Sequence, residues 1–373
     1  VATDGRIYAR RVTVDGPVVD PGAFADLLAS GAPGAGPVSG DPALVVVDLD
    51  GRVAGDGGRA GDGPSRPGWR RPPRPFVAVG VSTTGAIGGI ESAGASLDDL
   101  DVVLLEGASN PPDPWVGVHD ATAALETLRT SVARSPLAAV TLAHVLRAGV
   151  DLPFVDALVV ESLGYSTLQR GPEFARWLAA RPAPTAPGSP AVEDLTADRV
   201  GDELHVVLDR PRVRNALSAS LRDALWAALE VAVQDPSVAT VRLSGRGPDF
   251  CSGGDLDEFG TTPDPATAHL VRTSRSPAAA VATMSERVVA QVHGSCVGAG
   301  IEIAAAAGRV VARPDARFWL PELAIGLIPG AGGTASLPRR VGRHRTAWMA
   351  LTGSPVDVGT ALEWGLVDEV AAG

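Results

Sequence analysis

Twice in its second half the chain runs from a β-branched strand through a glycine-rich turn straight into a helix. "ATVRLSG" (239–245) leads to "FCSGGDL" (250–256), and "RVVAQVHG" (287–294) leads into "VHGSCVGAGIEIA" (292–304). Strands that hand over to helices at this spacing argue an α/β fold, βα-repeating and largely parallel. Small residues at such a turn let another backbone or a ligand approach closely, and the N–H groups of a starting helix point outward unsatisfied. Two such turns facing each other would make an oxyanion hole. Each turn alone is equally accounted for by close packing of helix on sheet.

The rest of the chain divides around these turns. Residues 51–75, "GRVAGDGGRAGDGPSRPGWRRPPRP", are almost wholly Gly, Pro, Arg and Asp and read as a mobile loop, because they cannot bury enough apolar area to offset ordering entropy. Residues 182–192, "PAPTAPGSPAV", read as a semi-rigid linker. Residues 1–118 form an α/β region with short strands at 43–50, 76–83 and 101–107, bounded by Gly, Asp or Pro. Residues 119–181 form a helical region that breaks at Pro136. Residues 193–373 open with a strand at 203–210 and an amphipathic helix at 215–235, capped by Ser218 or Asn215, and continue through helices expected at 264–286 and 299–308 and a strand at 309–314.

Composition excludes several classes. At 373 residues and 45% hydrophobic the chain can fill a real core, and its net charge of −11 argues against nucleic acid as a partner. It contains no lysine, so a bound phosphate must be met by arginine, backbone N–H groups or a helix N-terminus. The two cysteines, Cys251 and Cys296, and the six dispersed histidines form no metal-ligand spacing, so neither a metal nor a disulfide framework is expected. No apolar run reaches the roughly 20 residues of a membrane helix, and "VATDGRIYAR" lacks an apolar signal core, which leaves the cytoplasm as the expected compartment. "VSTTGAIGG" (81–89) invites comparison with a phosphate loop but lacks the Gly-Lys-Ser/Thr ending, so a structural role is expected for this half.

Two acids stand out by their company. Glu302 lies three residues after Ala299 in a helix otherwise made of Ala, Ile and Gly, and Glu322 follows Pro321 in another apolar neighbourhood. A carboxylate placed so is costly unless it is exposed or used. Two carboxyls of raised pKa beside an oxyanion hole are what general acid–base work at the α and β carbons of a thioester requires. Cys251 reads as a packing residue, since no histidine lies near it in the sequence and its surroundings are acidic.

Five segments in order, "RPRVRNALS", "PDFCSGGDL", "VHGSCVGAGIEIA", "PELAIGLIPGAGGTASLPRRVG" and "ALEWGLVDEV", resemble the signatures of the crotonase superfamily, the enoyl-CoA hydratases and isomerases. The resemblance covers nearly all of 203–373 and implies a crotonase-like ββα superhelix, or spiral, core. It further implies that the N–H groups of Gly254 and Ala299 form an oxyanion hole, that Glu302 activates water, and that Glu322 exchanges a proton at the α carbon. The family usually has Gly where Ala299 stands, but alanine still carries the N–H. Segment 210–218, with Arg212, Arg214, Asn215 and Ala216, would lie along the adenine and pantetheine arm of CoA.

By this resemblance the substrate is an acyl-CoA, the reaction is hydration of a 2-enoyl group or its reverse, and no cofactor is needed beyond the CoA that the substrate carries. Isomerisation or thioester hydrolysis in the same pocket, and a non-catalytic scaffold, are the alternatives. A homotrimer or hexamer is expected. The resemblance breaks at "GLVDEVAAG", where family members continue into closing helices, whereas "SPLAAVTLAHVLRAGVDLPFVDALVVESLGYSTLQRGPEFARWLAARP" (135–182) resembles that tail. A permuted chain would bring Glu161, Tyr165 and Trp177 near the acyl pocket or a subunit interface, and termini that lie close together make permutation physically tolerable. Ordinary helices of an independent domain are the other reading of that segment.

Overall fold

A computed structural model of the chain describes residues 18–30, 43–50, 74–181, 194–262 and 264–371. The expected mobile loop, apart from its last two residues, and the expected linker lie outside the described residues. In the first half, β1 (Val18–Val19), α1 (Pro21–Ser30), β2 (Leu44–Asp48), β3 (Val77–Ser82), α2 (Gly88–Ser92), β4 (Val102–Glu106) and β5 (Val116–Val118) build a parallel sheet in the order β1-β2-β3-β4-β5. β-branched runs with no polar alternation are what a sheet buried on both faces requires. All six residues of β3 are buried. Its successive side chains leave opposite faces. Ala78 joins a core with Phe24, Phe76, Ile90 and Leu100 under α1 and α2, whereas Val77, Val79 and Val81 join the larger core shared with the second half.

Four helices follow: α3 (Ala121–Arg134), α4 (Pro136–Gly149), α5 (Phe154–Leu168) and α6 (Pro172–Ala180). Asp120 caps α3 by accepting the Ala123 N–H at 3.0 Å, and proline opens both α4 and α6, where its missing N–H costs nothing. The break at Pro136 is therefore a helix start.

The second half contains β6 (Leu195–Val200), β7 (Glu203–Leu208), α7 (Ala219–Gln234), β8 (Thr240–Gly245), α8 (Pro265–Ser274), α9 (Pro277–Thr283) and β9 (Val288–Val292). It continues with β10 (Ser295–Val297), α10 (Ala299–Ala304), β11 (Arg309–Ala312), β12 (Arg317–Trp319), α11 (Gly333–Val341), α12 (Arg343–Thr352), β13 (Val356–Asp357), α13 (Val358–Glu363) and β14 (Glu369–Val370). Six strands form one sheet in the order β14-β11-β9-β8-β7-β6, parallel throughout except for the β6–β7 hairpin, and β10, β12 and β13 form a second, small sheet. Ser218 is the cap of α7, accepting the Leu221 N–H at 3.2 Å. The single helix expected at 264–286 is two, because Ser276 caps a fresh start at Pro277. The helix expected at 299–308 ends at Ala304.

Arginines bind the halves together. Arg343 of α12 donates to the carbonyls of Leu100 (3.0 Å) and Asp98 (2.9 Å), and Arg345 donates to those of Trp115 (3.2 Å) and Pro111 (2.7 Å). Beneath them Asp101, 1% exposed, accepts Arg147 Nε at 2.7 Å and the Ala78 N–H at 2.8 Å, with Arg343 at 3.6 Å. Burial alone would raise the Asp101 pKa, but the Arg147 charge and hydrogen bonds, with Arg343 behind them, hold it below the ordinary carboxylate value. The stability it contributes is therefore present above the ordinary aspartate pKa and lost as pH falls through its lowered one. Asp101→Asn leaves two arginines without their anion and is expected to cost about 3–5 kcal/mol near neutral pH, read from the urea unfolding midpoint. A loss below about 0.5 kcal/mol would show that the pairing contributes nothing.

Candidate active site

The two glycine turns meet. The backbone of Cys251 pairs with that of Cys296 in parallel, both thiols being free: Cys251 donates its N–H to the Ser295 carbonyl at 3.1 Å, and Val297 donates back to the Cys251 carbonyl at 2.9 Å. The first turn is also pinned to the start of α7, where Leu217 donates to the Gly253 carbonyl (2.8 Å) and Asp255 donates to the Leu217 carbonyl (3.0 Å). Between these pins the Gly254 N–H has no acceptor among the described residues, and neither has the N–H of Ala299, the first residue of α10. Gly298, at φ +47, sets the entry to α10 in a conformation that L side chains rarely adopt, and a Cβ there would collide with the Glu322 carboxylate. Gly254, Ala299, Glu302 and Glu322 all line one cavity of about 200 Å³.

Glu302 is 2% exposed and held by backbone alone: its Oε2 accepts the N–H groups of Ala331 (2.7 Å) and Gly333 (2.9 Å). The donors between and after these go to a third acid. Glu161 of α5, also 2% exposed, accepts the Gly332 N–H (2.8 Å) on one oxygen and the Thr334 N–H and hydroxyl (both 2.8 Å) on the other. Four successive N–H groups at the start of α11 thus alternate between two carboxyls. Those N–H groups have no partner inside the helix and carry the positive end of its dipole. A Cβ at Gly333 would lie 2.7 Å from Glu302 Cγ, so only glycine lets the turn come this close.

All three acids are pushed up. Burial raises Glu302 to about 7, against the pull of its backbone donors. Burial and then the Glu302 charge raise Glu161 to about 8. Glu322, raised well above the ordinary value by burial and the Glu302 charge, keeps one buried oxygen without a partner. Among the described residues no group of His, Cys, Asp or Glu is arranged to hold a metal ion, and no helix is long and apolar enough to cross a membrane.

The expected positions of Gly254, Ala299, Glu302 and Glu322 converge, and Glu161 and Tyr165 join them at the cavity wall. Trp177 does not line it but stacks on Phe174 at 5.6 Å and meets Phe259, a wall residue, edge-on at 6.0 Å. The expected CoA-arm residues lie apart from this wall. None of Arg212, Arg214, Asn215 and Ala216 lines the cavity. Asn215 is fully buried, and its amide donates to the carbonyls of Arg246 (2.9 Å), Asp249 (2.9 Å) and Phe250 (3.1 Å) while accepting the Arg210 N–H (2.8 Å). That exhausts its donors on the loop, so it is a clamp and not a ligand contact. Ala216 gives its carbonyl to Arg210 at 2.6 Å, while Arg212 and Arg214 are exposed. Arg222, Arg272 and Arg275 line the cavity instead, and nothing in their amphipathic helices distinguishes them in sequence. Cys251 is a packing residue, its thiol pushed up to about 12 by burial.

A sequence model of the family described as enoyl-CoA hydratase/isomerase matches residues 204–373. A 2,3-dehydroadipyl-CoA hydratase of Escherichia coli is 35% identical over 179 residues, 48% of this chain and 69% of that protein. An enoyl-CoA isomerase/hydratase of Mycosarcoma maydis is 33% identical over 189 residues, with the same two coverages. The solved enoyl-CoA hydratase of Thermoplasma volcanium shares 31% identity over 48% of this chain and 71% of its own, at a TM-score of 0.43. The chain belongs to the enoyl-CoA hydratase/isomerase family, and its second half is a crotonase-like core.

Raised carboxyls bind protons more tightly in the folded than in the unfolded state, so the stability they contribute is full below the unfolded glutamate pKa and lost as pH rises through the folded values. For Glu161 that window runs from 4.5 to about 8. Urea midpoints measured at pH 5 and pH 8 are expected to show a decline that Glu161→Gln makes shallower. An equal decline in both proteins would place the Glu161 proton outside the folding equilibrium.

Proposed function

We propose that the cavity binds an acyl-CoA thioester and adds water across the 2,3 double bond of a 2-enoyl group, or removes it in reverse. The observation that carries this reading is the pair of unpartnered N–H groups of Gly254 and Ala299 on touching turns, in one cavity with two glutamates. The thioester oxygen accepts both N–H groups. Ionised Glu302 takes a proton from water as the water oxygen bonds to the β carbon, and the double-bond electrons move into an enolate whose charge rests on the two donors. The α carbon then takes the proton of Glu322. Burial raises both carboxyls, and a raised carboxyl is suited to exchanging protons with a bound substrate. As written, the chemistry draws on no metal or redox group.

Glu161 acts as a positioning residue. It holds the donors that alternate with those of Glu302, so it fixes the turn against which the Glu302 carboxyl is oriented. Its helix belongs to the segment that resembles the family tail, and α5 also packs against α8, α9 and α11. We infer that residues 135–181 close the site as a permuted tail would.

Mass spectrometry of the protein incubated with crotonyl-CoA is the test, with a gain of one water expected. Glu302→Gln and Glu322→Gln are each expected to lower turnover by about 10²–10⁴-fold. The kcat/KM of the wild type should rise through about pH 7 as Glu302 ionises. Release of free CoA, or an isomer of unchanged mass, would replace hydration with hydrolysis or isomerisation.

A further inference from the structure

We propose that Arg272, with Tyr165, recognises an acidic group on the acyl chain, so that the preferred substrate is an enoyl thioester ending in a carboxylate. The proposal rests on the acyl-CoA reading above and extends it to the acyl chain. Three arginines reach the cavity wall, and two of them share one aspartate: Arg222 and Arg275 lie 2.8 and 2.7 Å from Asp223. Arg272 has no carboxylate within ion-pair distance among the described residues. Its partners are neutral. Nε donates to the Ser162 hydroxyl at 3.1 Å, Nη2 to the Ser162 carbonyl at 3.4 Å and to the Ser166 hydroxyl, and Nη1 reaches Gln169 only at 3.5 Å.

The guanidinium also lies 4.6 Å over the Tyr165 ring. The same ring abuts Gly330, where any Cβ would collide with it. Tyr165 thus contacts both Arg272 and the turn that leads to the donors of Glu302. The Tyr165 hydroxyl has no hydrogen-bond partner among the described residues, and burial raises its pKa, so it remains a donor. The cavity thus presents a guanidinium without a full counter-charge and a phenol without an acceptor.

A half-buried cation whose hydrogen-bond partners are all neutral gains from an anion that joins it. The acid whose charge it feels, Glu161, is raised by burial and supplies less than a full counter-charge. Arginine meets a carboxylate with paired, charge-assisted N–H donors, and Nη1 holds a donor not used by the protein. A neutral alkyl end would leave the guanidinium without a counter-ion and the phenol without an acceptor, and such unmet polar groups make a site selective.

The experiment compares (E)-2-hexenoyl-CoA with its six-carbon counterpart bearing a terminal carboxylate, using the full chain. The wild type is expected to favour the carboxylate by at least about tenfold in kcat/KM, mainly through KM, as one charge-assisted contact implies. Arg272→Gln should collapse that ratio to about one, and Arg272→Lys, which keeps the charge, should retain part of it. Titration calorimetry with the saturated acyl-CoA pair reads the same ratio without turnover, so absence of hydration would count against the reaction and leave the recognition claim measurable. A wild type that binds both members equally, or an Arg272→Gln variant with an unchanged ratio, overturns the proposal and leaves Arg272 as a pin between α5 and α8.

Discussion

One short turn carries the structure. Residues 331–334 give four successive N–H groups alternately to Glu302, from the second half, and to Glu161, from the first. A helix start must dispose of these donors in any fold, by capping, by solvent or by a ligand. Here the helix start spends them on two buried carboxyls 141 residues apart in the chain (302 less 161). Neither acid has a salt-bridge cation among the described residues, so the turn is what makes their burial tolerable, and the glycines at 332 and 333 are what make the turn possible. Loss of either carboxyl leaves donors unpaired and the other acid differently held.

This arrangement couples the two halves to the chemistry as well as to stability. The arginines of α12 and the Asp101 cluster fasten the parallel sheet of the first half to the second, and α5 then delivers Glu161, Ser162 and Tyr165 to the cavity wall. A helical region that looks appended in the linear chain is thus part of the site. The catalytic acids proposed here are raised by burial, and the Glu161 charge, from α5, raises Glu322 further. The first half therefore helps set the protonation of groups carried by the second.

Much of this was legible from residues. Glu302 and Glu322 stood out because a carboxyl among alanines and isoleucines has few cheap explanations, and both lie on the cavity. Pro136 and Ser218 marked helix starts by a local mechanism that the fold does not override. The clamping role of Asn215 was not legible because a polar residue in a loop can serve a ligand or the loop itself, and the three carbonyls it holds come from residues 246–250, brought to it only by folding. Arg272 gave no sign because an arginine on an amphipathic helix is ordinary until its neighbours are known. β6 and the small sheet of β10, β12 and β13 were too short or too near a boundary to show as periodic strands.

The proposed chemistry requires a thioester oxygen resting on the N–H groups of Gly254 and Ala299. A crystal structure with butyryl-CoA, which cannot be hydrated, is the decisive measurement. The thioester oxygen should lie within about 3 Å of both nitrogens, with the α carbon facing Glu322. A bound acyl-CoA whose carbonyl meets neither nitrogen would contradict it.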